Sequence, residues 1–289
     1  MFKIYGLIGI LMIVFAEFCI FFKIEPFDTW YIPIIWFGYI FVVDAIVFTL
    51  KRNSMLCNRP KKLALALFLS AIFWLIFEFY NIHLGGWHYA SSLRPSFLFF
   101  FMGFLSISTI VPAVFETQEL VEQLHLFTKV RFKFKIFLNK YILNTLIVVG
   151  LIFLITPFLT ITPWAWVLVW TGFILLMDPI LFLFHNEKSL IMQLKKKKFN
   201  TIISVFVAGY ICGFLWEFWN YWATTKWYYT VPILENIKIF EIPVLGFFGI
   251  WPVCLGAVRH VQVCDIPVFK KILGRNNKIT WGRWDLNPD

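Results

Sequence analysis

Eight apolar runs, each close to the length needed to cross hydrocarbon, constrain this chain more than any other feature. A bilayer core takes about 20 predominantly apolar residues per helix. Segments at roughly 4–22, 30–50, 63–82, 96–116, 137–158, 164–184, 199–221 and 239–260 meet that requirement. The chain is 60% hydrophobic and 15% charged, against about 45–50% and 25% in soluble domains, so too little polar surface is present to cover it in water. The expected class is an all-α integral membrane protein of about eight transmembrane helices.

The basic residues test that count. Placed on alternate sides of the spans, 22 of the 26 Lys and Arg fall on one side. They sit at the N-terminus, in the loops around 51–62, 129–140 and 188–198, and in the tail from Arg259 to Arg283. Only Lys23, Arg94, Lys226 and Lys238 fall on the other. The positive-inside rule then puts both termini in the cytoplasm of a protein in the inner or plasma membrane. The net charge of +10 reports topology, and no nucleic-acid partner is implied. From Lys129 to Ile136 basic and apolar residues alternate, a pattern suited to anionic headgroups; an ordinary positive-inside linker is the favoured reading. The run after Lys3 contains Glu17 and has no convincing cleavage site, so it is read as a retained span.

The two halves resemble each other. Trp36, Gly38, Tyr39 and Asp44 match Trp170, Gly172, Phe173 and Asp178 at an offset of 134. Phe77 to Asn81 matches Trp216 to Asn220 at 139, and Pro112 matches Pro252 at 140. Each Glu-containing motif precedes an aromatic knot, Trp87-His88-Tyr89 and Trp227-Tyr228-Tyr229. Four spans per half make the expected arrangement two parallel repeats about an axis along the membrane normal. The expected boundaries are 1–118 for the first repeat, 119–136 for a basic linker, 137–262 for the second repeat and 263–289 for a basic tail.

Seven acids lie in or at the ends of spans: Glu17, Asp44, Glu78, Glu116, Asp178, Glu217 and Glu241. No Lys or Arg lies in mid-span to neutralise them. Charged groups at helix centres cost about 2.5–3.5 kcal/mol on insertion scales, so these acids are expected to face the protein interior. Asp44 and Glu116 lie near basic loops and are expected to pair there. Glu78 with Asn81, and Glu217 with Asn220, share a helix face. A structural polar contact and a functional site are equally open readings of these pairs. Gly209 and Gly213 form a G-x-x-x-G, a helix-packing signal.

Several chemistries are excluded. The five histidines are scattered and form no H-E-x-x-H; no Asp-rich magnesium cluster, no G-x-S-x-G and no mid-membrane lysine is present. The five cysteines form no C-x-x-C pair. No metal or cofactor is expected. A buried acid can protonate a double bond, and aromatic faces can stabilise the resulting cation. The 60 aromatic residues, 21% of the chain, suit that role, although lipid-facing Phe and interfacial Trp and Tyr belts account for most of them.

Glu217, Trp227-Tyr228-Tyr229-Thr230 and Phe240-Glu241-Ile242-Pro243 resemble elements of metal-free membrane enzymes of carotenoid metabolism, the small prokaryotic-type lycopene cyclases and the carotenoid hydratases. The cyclases carry a Pro-x-Glu-Glu pair where this chain has the single acid Glu241. The resemblance implies general acid chemistry on a polyprenyl or carotenoid-like lipid. Glu217 is then the expected acid, Glu78 its counterpart, Asn220 and Asn81 orienting groups, and Glu241 an entrance residue. Trp87, Tyr89, Trp216, Trp227, Tyr229, Asp44 and Asp178 are the expected substrate-facing residues. A proton-coupled transporter or flippase and a scaffold without chemistry are the alternatives.

Overall fold

The computed structural model describes residues 2–90, 96–131, 137–162, 164–185, 189–230, 237–246 and 249. Among them are seven helical segments long and apolar enough to cross a membrane, and the chain is a helical multi-pass membrane protein. In order these are α1 (Ile4–Phe22), α2 (Tyr31–Lys51), α4 (Pro60–Leu84), the pair α5 (Phe97–Ser108) and α6 (Ile110–Gln123), α7 (Lys140–Leu159), α8 (Ala165–His185) and α10 (Phe199–Trp222). Two short helices, α3 (Met55–Asn58) and α9 (Leu190–Lys195), precede α4 and α10.

The helices sort their side chains by face. On α1, Ile4, Leu7, Leu11, Val14, Phe18 and Phe21 are exposed at helical spacing, while Gly6, Gly9, Ala16, Cys19 and Ile20 are buried. With lipid as solvent, an exposed apolar stripe is the favourable outer face. The inner face is made of small residues because the backbones meet closely. A Cβ on Gly9 would come within 2.6 Å of the Gly38 carbonyl oxygen on α2, and one on Gly150 of α7 within 2.7 Å of the Leu176 nitrogen on α8.

The fourth span differs from its expected form. It does not stop at 116 but continues to Gln123, five residues into the expected linker, and it is broken at Thr109. Pro112 is the cause, because it has no N–H to give the Ser108 carbonyl and its ring crowds that turn. Ser70 of α4 repairs the neighbouring gap. Its hydroxyl donates to the Ile107 carbonyl at 2.7 Å and accepts from the Val111 N–H at 3.1 Å. The hydroxyl thus occupies the place of the Val111-to-Ile107 helical bond.

Asp44 and Asp178, expected to face substrate, both cap short helices. The Asp44 carboxylate accepts from the Leu56 N–H at 2.8 Å, and that of Asp178 from Leu190 and Ile191 at 2.7 and 3.0 Å. Ser54 and Ser189 are the N-caps of the same two helices, accepting from Cys57 and Met192. The exposed N–H groups at a helix N-terminus attract acceptors and negative charge, which is why an acid twelve residues upstream is drawn there.

Two strands close the end of the bundle where α4 and α10 finish. β1 (Trp87–Ala90) pairs antiparallel with β2 (Lys226–Tyr229), with Trp87 opposite Tyr229, His88 opposite Tyr228 and Tyr89 opposite Trp227. Thr230 adds a backbone bond to the Gly86 carbonyl and a hydroxyl bond to that of Gly85. The expected eighth span does not begin as a helix at 239. Residues Lys238–Ile239 (β3) and Ile242–Pro243 (β4) form a small hairpin, followed by a 3-10 turn at Val244–Gly246. Apart from Gly249, the rest of that span, the tail, Pro252, Arg94 and Pro95 lie outside the described residues, as do Lys188 and positions 132–136.

Candidate functional site

The period of two along a strand puts Trp87 and Tyr89 on one face of β1, and Trp227 and Tyr229 on one face of β2. Those faces meet the acids. Glu78 Oε1 accepts from the Trp87 indole at 3.2 Å, from the Tyr89 hydroxyl at 2.5 Å and from the Trp74 indole at 2.9 Å. Trp74 lies one turn before Glu78 on α4, so helical spacing alone could have identified this donor.

Glu217 has a sparser set of partners. The Trp227 indole donates to the Tyr229 hydroxyl at 3.1 Å, and Tyr229 donates to Glu217 Oε1 at 2.7 Å. Glu217 Oε2 is buried and accepts no hydrogen bond, and the residue is 2% exposed. Burial, reinforced by the neighbouring Glu217 carboxyl, pushes the Tyr229 phenol well above its ordinary value. Tyr229 therefore remains a hydroxyl donor.

Asn81 and Asn220 grip the strands, and their amides are not turned to the glutamates. Asn81 Oδ1 accepts from the N–H groups of Gly86 and Trp87, and its Nδ2 donates to the Trp87 carbonyl. Asn220 makes the equivalent pair of bonds to Trp227. A short amide cannot reach a neighbouring turn's carboxylate as easily as the backbone that folds back past its own helix end. Glu241 is paired with Lys226 at 2.5 Å, so the acid expected at an entrance is neutralised by a cation.

A run of tryptophans joins the two carboxylate sites. Trp87 and Trp74 have ring centroids 5.9 Å apart, Trp74 stacks on Trp216 at 5.4 Å, and Trp216 meets Trp227 edge-on at 5.8 Å. Trp36 of α2 packs on Trp216 and Trp219. The structure thus brings together Glu78, Glu217, Trp87, Tyr89, Trp216, Trp227 and Tyr229. Asp44 and Asp178 are left at the other end of the bundle.

That other end holds an ion cluster not anticipated from sequence. Glu119 of α6 receives Arg59 in a two-pronged contact, Nη1 and Nη2 each at 2.7 Å, and Lys51 at 2.7 Å. The hydrogen bonds to Glu119 hold the Arg59 guanidinium above its ordinary value. Arg59, in the basic loop before α4, lies near both Asp44 and Glu116, the acids expected to pair with such loops. Asp44 takes the Tyr5 hydroxyl and the Leu56 N–H, and neither oxygen of Glu116 receives a hydrogen bond. The remaining acid, Glu17, accepts from the buried Tyr31 hydroxyl at 3.0 Å.

Comparison with protein-family models finds no family that matches this chain, and comparisons with curated proteins and with solved structures find no match either.

Proposed function

We propose that this protein is a tandem-duplicated, eight-span membrane enzyme, with both termini cytoplasmic, that protonates an apolar polyprenyl or carotenoid-like lipid. Glu217 is the general acid. The observation that carries this reading is its buried, unpartnered Oε2 on a helix whose neighbouring Trp216 meets Trp227 edge-on. Glu78 differs in having three donors on one oxygen, which suits a held, positioning acceptor. Matched capping by Asp44 and Asp178, matched clamping by Asn81 and Asn220, and the β1–β2 pairing about His88 and Tyr228 support the parallel duplication.

In the proposed step the carboxyl proton of Glu217 passes to one carbon of a double bond and leaves a carbocation on the other. Indole faces stabilise it. Water adding to the cation returns a proton to the carboxylate and leaves an alcohol; attack by a second double bond, followed by proton loss, leaves a ring. Untargeted lipid mass spectrometry of cells with and without the chain tests this. A changed polyprenyl-type lipid is expected with the wild type and not with Glu217→Gln, with both proteins present and monodisperse after purification. An unchanged lipid profile with the wild type overturns the reading.

The proton-coupled transporter reading has one observation in its favour. Trp36, Trp74, Trp216 and Trp219 fill the space between α2, α4 and α10, so a substrate reaches Glu217 only when those helices part, as alternating access requires. Liposomes under an imposed pH gradient separate the two. A transporter moves an unaltered lipid, and an enzyme leaves an altered one.

A further inference from the structure

A cavity of about 420 Å³ opens at the end of the bundle that carries α3 and α9, within the range of about 300–1,000 Å³ common for small-molecule sites. One wall is the turn after α6, with Thr128 and Arg131. The other is the junction of α9 and α10, with Lys196, Lys197, Lys198 and the first turn of α10. Four cations from segments distant in sequence thus converge on one space, and among the described residues no carboxylate lines it.

The start of a helix is its positive end and favours acceptors and anions. α3 and α9 follow that rule, each held by a serine and an aspartate. α10 reverses it. Its N-cap is Lys198, no side chain caps it, no acid lies in its first turn, and two further lysines precede it. Lys197 holds a left-handed backbone, φ 53°, which a lysine adopts far less readily than glycine. The first half shows what such a junction requires. There α4 also starts from a basic residue, Arg59, and Glu119 of α6 meets it with both oxygens while taking Lys51 as well. At the start of α10 no acid plays that part. Glu122, three residues beyond Glu119, accepts from Gln118 at 3.0 Å, and among the described residues no carboxylate pairs with Arg131, Lys197 or Lys198.

We infer that this cavity binds a phosphate group, carried by a lipid headgroup or by a free anion, in the role that Glu119 fills in the first half. The positive-inside rule accounts for the number of cations in these loops and not for four of them enclosing one space. Arg131 is set in advance. Its Nη1 donates to the Thr128 and Val130 carbonyls at 2.6 and 2.9 Å, which fixes the guanidinium and leaves its other nitrogens for a ligand. A phosphate has enough acceptor oxygens to meet Arg131 on one wall and the lysines and helix start on the other. Phe199, 3% exposed, lines the cavity and is the first residue of the α10 span, so the site lies at the depth where a span enters the headgroups. It is at the opposite end of the bundle from Glu217 and independent of the acid chemistry proposed above.

Native mass spectrometry and thermal unfolding of the purified full chain test the inference, with phosphatidylglycerol in neutral detergent as one probe and inorganic phosphate as the other. For the wild type, a Tm that rises saturably with one bound ligand per chain is expected. Lys197→Gln/Lys198→Gln is expected to weaken binding on the order of tenfold. Arg52→Gln/Lys61→Gln, which removes two exposed cations from another basic loop, is expected to bind as the wild type does. A rise with lipid alone assigns the site to a headgroup, and a rise with inorganic phosphate that competes with the lipid assigns it to the free anion. Should the lysine double variant not fold, Arg131→Gln reads the same loss from the opposite wall. Equal weakening in the two double variants would reduce the effect to loop charge and overturn the inference, as would the lack of a saturable rise with either probe.

Discussion

Asn220 holds Trp227 by both of its backbone polar groups, with Oδ1 accepting from the N–H at 2.9 Å and Nδ2 donating to the carbonyl at 2.7 Å. Because Asn220 is fully buried, Asn220→Ala leaves two strand groups without partners. Each unsatisfied buried group costs about 1–3 kcal/mol. Thermal unfolding in detergent is expected to show a clear fall in Tm for Asn220→Ala, and a fall in the same direction for Asn81→Ala. Unchanged transitions would remove the clamp from the account of stability.

Asp178 and Ser189 cap the same short helix α9 from two sides. Loss of an N-cap costs about 0.5–2 kcal/mol. Asp178→Ala and Ser189→Ala are each expected to destabilise by about that much. The double variant is expected to fall short of the sum, since both act on one helix terminus. Strict additivity in a denaturant series would argue that the two caps are independent.

Ser70 fills a break that Pro112 creates. Ser70→Ala alone strands the Ile107 carbonyl and the Val111 N–H, at about 1–3 kcal/mol for each buried group. With Pro112→Ala in the same chain, the helix can close its own ladder and the penalty is expected to shrink. Equal penalties in both backgrounds would show that the serine is not acting on the break.

Gly9 and Gly38 let α1 and α2 touch through their backbones. Any side chain at Gly9 meets the Gly38 carbonyl oxygen at 2.6 Å and the Phe41 Cβ at 2.8 Å. Overpacking costs about 1–3 kcal/mol, occasionally more. Gly9→Val is therefore expected to lower the yield of monodisperse protein on size exclusion, and a substitution at the exposed Leu11 is not.

The raised Tyr229 phenol makes a pH prediction. In the unfolded chain a tyrosine ionises near pH 10, while in the folded one the hydroxyl stays neutral to higher pH. The stability linked to this group is therefore fully present below about pH 10 and is lost as pH rises from there towards the raised folded value. Unfolding midpoints are expected to fall across that window in the wild type and less steeply in Tyr229→Phe. Parallel curves would mean that Tyr229 contributes no linkage.

Seven of the spans were legible because hydrophobic length largely determines what crosses a bilayer. α1 occupies 4–22 as read, and α10 ends at Trp222, one residue beyond the expected limit. The fourth span was underestimated because Glu116, Thr117, Gln118, Glu119 and Glu122 have the composition of a loop. Their helix is buried against α2 and α10, and Glu119 is neutralised by cations from the 51–59 region, which no linear pattern in residues 110–123 records. The acids and their aromatic neighbours stood out in the sequence as motifs matched between its two halves. Their roles did not, because the partner of Asn220 lies on a strand formed only after the chain reverses, and the orphaned state of Glu116 depends on where Arg59 points.

The β1–β2 ribbon ties the ends of α4 and α10 together through backbone bonds that do not stretch as side-chain contacts do. Any parting of α4 from α10 is therefore held at the His88–Tyr228 position. Separation is then smallest beside Glu78 and Glu217 and grows towards the end where Asp44, Glu116 and Asp178 lie. Such a hinge would leave the tryptophan-lined end shut and admit molecules from the far side, or laterally between helices, before they reached the carboxylates.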